Sequence, residues 1–166
     1  MTRGGDPKIR PYRFLVIFTG CLLAGVGVLL TSPVQSLDFK FSRTLVQLSH
    51  ALVVACGGHA THDAAILRAP GGFAVEMRDG CNAVNVTILL WSAVLAFPAS
   101  WTSKAWGLAA GTAIIQALNI VRFISLFYIG QYSTTWFDFA HVYLWESLLV
   151  LDTMVVFWLW VKRARA

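Results

Sequence analysis

Charged side chains are scarce in this sequence: Asp, Glu, Lys and Arg make up only 13% of its 166 residues, against 57% hydrophobic ones. That balance argues against a soluble core and describes an integral membrane protein, in line with a mean hydropathy of +0.66. Cysteine is sparse too, and Cys21, Cys56 and Cys81 form no Cys-x-x-Cys pair, which weighs against a dithiol redox motif. No glycine-rich loop cradles phosphate, and neither an internal repeat nor a low-complexity tract occurs. The net charge of +5 comes from basic residues beside apolar runs, so it reads as a topology signal and not as a nucleic-acid patch. His59, His62 and Asp63, near Cys56, lack the spacing of a closed zinc set. No metal and no other cofactor is expected.

Four segments are long and apolar enough to cross a hydrocarbon core about 30 Å thick: 14–31, 82–98, 105–129 and 142–161. The expected fold is an all-α integral membrane protein, one domain over 1–166, with about four transmembrane helices. Arg3, Lys8, Arg10 and Arg13 precede the first segment, Lys104 lies in the turn before the third, and Lys162, Arg163 and Arg165 follow the fourth. Positive flanks stay inside, so both termini are expected in the cytoplasm of a bacterial inner membrane, with 32–80 at the periplasmic face. The amino-terminal segment also has signal-peptide character, but Pro33 and the count of crossings favour an uncleaved anchor. Within the outer region, Leu37, Phe41, Leu45, Leu48 and Leu52 recur at three- and four-residue spacing, the pattern of an amphipathic helix on the membrane or over a site. Residues 64–68 and 73–77, separated by Ala69-Pro70-Gly71-Gly72, read as a small β-hairpin. Its second strand runs into Cys81, and it serves either as a lid that pairs with extended substrate or as a plain structural cap.

This topology brings three chemical groups to one bilayer face. Cys81 sits at the outer mouth of the second segment, Arg122 about 10 Å below the outer end of the third, and His141 at the start of the fourth. A thiol, a guanidinium and an imidazole together are the parts of a cysteine acyl-transfer site. Burying an arginine near mid-membrane costs about 2.5–3.5 kcal/mol on the insertion scale, so Arg122 is rarely idle there. Gln116 and Asn119 share its helix face at three-residue spacing, and Asn119 is placed to orient it. Polar glue between helices explains the same pair almost as well. On the fourth segment, Trp145, Leu148 and Asp152 follow His141 on nearly one face of a regular helix, with Asp152 about 16 Å deeper. Glu146 points elsewhere on that wheel and reaches His141 only if the helix starts irregularly. Cys21 reads as a small buried apolar residue. Cys56 is the rival, because in an oxidising compartment it could form a disulfide with Cys81 and remove the nucleophile.

Three stretches carry a family resemblance: Met77-Arg-Asp-Gly-Cys81-Asn-Ala-Val-Asn85, Asn119-Ile-Val-Arg122 and Ala140-His141. In order and spacing they resemble the motifs of the exosortase/archaeosortase family, specifically its short exosortase H type. Asn82 stands where serine or glycine often follows the cysteine, and it joins the supporting set. The resemblance implies a membrane-embedded cysteine protease and transpeptidase. Its partners would be exported proteins ending in a short motif, one transmembrane helix and a basic cluster, together with an acceptor amine. Cys81 would form the thioester, His141 would protonate the leaving amine, and Arg122 would lower the thiol pKa or hold the oxyanion. Two other classes remain open: a four-helix membrane thiol-disulfide oxidoreductase using Cys56 and Cys81, and a non-enzymatic membrane partner or transporter with Arg122, Glu146 and Asp152 along a pathway.

Overall fold

The computed structural model describes residues 11–78 and 80–165. Arg3, Lys8, Arg10 and Asp79, which the sequence reading used, lie outside them. Helix α1 spans Pro11–Leu29, and a short turn leads into α2, Ser32–Ala55. Pro33 falls in the first turn of α2, where a missing backbone N–H breaks no helical bond. The strands β1 (Thr61–Asp63), β2 (Ile66–Arg68) and β3 (Ala74–Glu76) follow, then α3 (Val84–Ala96) and α4 (Trp101–Tyr132). The last 32-residue run, Thr134–Arg165, comprises α5 (Thr134–Phe139), a π-helical segment (Ala140–Trp145) and α6 (Glu146–Arg165).

Among the described residues, three helical stretches are long and apolar enough to cross a membrane: Pro11–Leu29, Trp101–Tyr132 and Thr134–Arg165. The expected span at 82–98 is instead the 13-residue α3, only about 20 Å long. Its start is delayed because Ala83 takes a left-handed conformation at φ 57°. The Asn82 side chain also accepts from the Val84 N–H at 3.1 Å, a local turn that competes with helix. The expected four full spans are therefore three and one short apolar helix.

The polypeptide has two distinct ends. Trp160 of α6 donates to the Ser103 carbonyl of α4 at 2.9 Å, so the α6 carboxy-terminus and the α4 amino-terminus lie side by side. Helix α1 packs along α3, where Gly25 leaves room for Ile88, and the end of α1 meets the loop before α3. Arg13, Lys104, Lys162, Arg163 and Arg165 consequently fall at one end of the bundle, and the sheet falls at the other.

The sheet is antiparallel with order β1-β2-β3. The expected hairpin is present as β2 and β3, joined through Ala69–Phe73, with Leu67 opposite Val75. Strand β1 is an addition, since Thr61-His62-Asp63 has no apolar alternation to announce it. Leu67, Val75 and Met77 pack on Leu45, Val46 and Val53 of α2 and on Phe123 and Phe127 of α4. Phe73 lies so close to α4 that a Cβ at Gly130 would overlap its ring. The buried face of α2, which also includes Ser42 and Ser49, is rotated from the expected stripe. Leu45 belongs to both, but Leu37, Leu48 and Leu52 are exposed. Small serines permit the closer approach that the sheet and the Cys81 loop require.

Candidate active site

Cys81 lies in the loop between β3 and α3, in a turn closed by its N–H donating to the Arg78 carbonyl at 2.9 Å. The next residue fixes that loop. Asn82 is almost fully buried, and its amide donates to Asp38 Oδ1 at 2.7 Å and Ser42 Oγ at 3.1 Å, both on α2. Cys81 Sγ then stands 3.3 Å from His141 Nε2, within reach of direct proton exchange. The His141 ring stacks nearly flat on Phe137, one turn earlier, with centroids 5.7 Å apart and planes 5° from parallel.

Arg122 completes the group from α4. It is 2% exposed, and its Nη2 is 3.6 Å from Glu146 Oε2, an ion pair longer than a hydrogen bond. The pair exists because of the π-helical segment. With i→i+5 bonding, His141 and Glu146 return to one face, whereas a regular α-helix carries them apart. The regular wheel is thus corrected: Glu146 belongs beside the site, and its partner is Arg122 rather than His141. A cleft of about 290 Å³ is lined by Cys81, Arg122 and His141, with Phe137, Val75 and Glu76 among its other walls.

The remaining candidates divide. Gln116 donates weakly to Thr87 Oγ1 at 3.4 Å, and Asn119 is fully buried on the same face of α4. Asn119 makes no hydrogen bond to Arg122: both its amide atoms are unpartnered, as are Gln116 Oε1, Arg122 Nη1 and Trp145 Nε1. Among the described residues, every buried side-chain polar atom without a partner belongs to these four. Each such atom costs about 1–3 kcal/mol, and of the four residues only Arg122 lines the cleft. Asp152 is half-buried on α6 and does not line the cleft.

The Cys56–Cys81 disulfide is not formed, since all three cysteines are free thiols and Cys56 is exposed just after α2. Burial pushes the Cys81 thiol above the ordinary thiol range; the Arg122 charge opposes that rise and the Glu146 charge adds to it. The sequence reading missed Asp38, Ser42 and Phe137. Phe137 was within reach, four residues before His141, but nothing local links Asp38 to a loop 44 residues away.

A bundle of membrane-length helices that holds a thiol against an imidazole, beside a buried guanidinium, defines a membrane protein built around a cysteine–histidine pair. The chain belongs to the transmembrane exosortase family, whose model matches residues 2–162. No curated protein and no solved structure matches it.

Proposed function

We propose that the protein is a cysteine transpeptidase that cleaves the carboxy-terminal sorting tail of exported proteins at the periplasmic face of a bacterial inner membrane. The observation that carries this reading is the 3.3 Å approach of Cys81 Sγ to His141 Nε2 in a cleft shared with Arg122. The family membership supports a membrane cysteine transpeptidase in general. The basic end of the bundle is then cytoplasmic, and a substrate helix with its own basic tail lies alongside in the same sense.

The proposed chemistry follows from the geometry. His141 Nε2 takes the Cys81 proton, a necessary step because burial holds the sulfur as thiol. The thiolate attacks the scissile carbonyl, and the charge of Arg122, which lines the cleft, stabilises the developing oxyanion. Collapse breaks the C–N bond, His141 passes its proton to the leaving amine, and a thioester remains. An acceptor amine then attacks that thioester, its proton going through His141 back to sulfur. Glu146, paired with Arg122, holds the guanidinium in place, and Asn82 holds the nucleophile loop. A thiol-disulfide exchange would need a second sulfur at the cleft, and Cys56 is not among its lining residues.

The test is co-expression with an exported protein of the same host that ends in a motif, a helix and a basic tail. Wild-type protein should shorten it. Cys81→Ala and Cys81→Ser should reach the membrane and leave it full-length, whereas Cys56→Ala and Cys21→Ala should process it. Processing that persists in Cys81→Ala but stops in Cys56→Ala would reverse the assignment.

A further inference from the structure

The substrate must offer an extended backbone to Cys81, and the sheet beside the cleft has an unused edge. In the sheet order β1-β2-β3, strand β3 has a partner on one side only among the described residues. The hydrogen bonds show which of its groups are spent. Met77 N–H donates to the Ala65 carbonyl and Ala69 N–H to the Phe73 carbonyl, both at 2.8 Å. Bonded pairs alternate along an antiparallel ladder, so 65/77, 67/75 and 69/73 are the bonded pairs. Ile66↔Glu76 and Arg68↔Ala74 are the non-bonded ones. Ala74 and Glu76 therefore turn their N–H and C=O groups away from β2, toward the open edge.

That edge borders the cleft. Side chains alternate across a strand: Val75 and Met77 are buried against the core, while Ala74, Glu76 and Arg78 are exposed. A cavity on one face of the strand would touch every second residue. This cleft touches Ala74, Val75 and Glu76 in succession, together with Cys81 and His141, so it meets the strand along its edge. On the outer face, Arg78 Nε donates to Glu76 Oε2 at 2.7 Å, which holds the exposed side chains to one another.

Building on the transpeptidase reading, we propose that the segment of the tail next to the scissile bond adds to β3 as a fourth strand, bonding to the backbone of Ala74 and Glu76. Backbone pairing fixes the depth and register of the peptide without demanding particular side chains. It delivers one carbonyl to Cys81 in the cleft that Phe137 and Phe123 also line. The edge is also filled whenever substrate is bound, which limits edge-to-edge association.

The test removes one edge N–H, with Glu76→Ala, which loses the same bond to Arg78 but keeps the N–H and should leave KM near the wild-type value, as its control. Glu76→Pro deletes a donor that the β2–β3 ladder does not use, a substitution edge strands tolerate. It should raise KM for the co-expressed tail-bearing protein about fivefold to tenfold with little change in kcat, and the rate of Cys81 alkylation by iodoacetamide should stay at the wild-type value. An unchanged KM would overturn strand addition. If this variant fails to accumulate, the wild-type protein still decides the matter through synthetic peptides spanning the mapped cleavage site, each carrying one backbone N-methyl group. Losses at every second position are expected; uniform sensitivity or none would overturn the proposal. Cleavage by Cys81→Ala, in contrast, would defeat the transpeptidase reading itself, so the two failures are distinguishable.

Discussion

Two regions of this molecule, its basic end and the middle of α4 up to Arg122, differ in how far their enclosed polar groups are paired. At the basic end, Lys104 Nζ donates to the Leu95 carbonyl at 2.7 Å and Trp160 Nε1 to the Ser103 carbonyl at 2.9 Å. Phe97 packs edge-on against both Phe157 and Trp160. Between the middle of α4 and the level of Arg122, Gln116, Asn119, Arg122 and Trp145 leave five buried atoms without partners, all there are among the described residues. An interior arranged for stability alone would replace such atoms with apolar ones or pair them. The contrast separates an end that holds the bundle together from a stretch whose unpaired polar atoms lower stability.

The largest expected effect that would sharpen this contrast lies at the site. His141→Ala should cut processing by about 10³-fold or more, because the half-buried thiol loses its base. Membrane accumulation should be unchanged, which immunoblotting of membrane fractions would check. At the opposite end, Trp160→Ala removes a hydrogen bond and two ring contacts. It should lower stability by about 3 kcal/mol, seen as a lower unfolding midpoint in detergent, with Cys81 alkylation near the wild-type rate. Equal losses of both would break the division.

A smaller and opposite effect is expected of Asn119→Leu. The amide makes no bond in the folded protein, so a similar-sized apolar side chain should raise stability by about 1–2 kcal/mol while processing falls. A destabilised variant would mean that Asn119 is structural glue. The smallest effect is electrostatic. Cys81 titrates above the ordinary thiol range, so the folded protein keeps this proton longer than the unfolded chain does. Its contribution to stability is present below the ordinary thiol pKa and is lost as pH rises through the raised one. In alkylation-pH profiles, Arg122→Ala should move the midpoint further up and Glu146→Gln should move it down.

Much of the candidate site's geometry was legible because each of its main residues sits at the same end of a hydrophobic segment. Composition and helix length fix that end for Cys81, Arg122 and His141 without any tertiary information. What was not legible came from local departures. The left-handed Ala83 and the turn at Asn82 shorten α3, and hydropathy averaging does not register them. The π-helical segment rotates Glu146 onto the His141 face, against the 3.6-residue wheel. On α2 the buried stripe is Ser42, Leu45, Val46, Ser49 and Val53, and its two serines are invisible to a count of apolar spacing. The pairing of Asp38 with Asn82 joins elements distant in sequence, which no periodicity encodes.

The central claim is that Cys81, set against His141, becomes acylated by a sorting tail. Intact-mass measurement on protein purified after brief exposure to a tail-bearing substrate tests it most directly. Wild-type protein should carry a hydroxylamine-sensitive adduct whose mass equals the acyl portion of the substrate, and peptide mapping should locate it on Cys81. An adduct on Cys56, or active processing with no hydroxylamine-sensitive species and no effect of Cys81→Ala, would contradict the account.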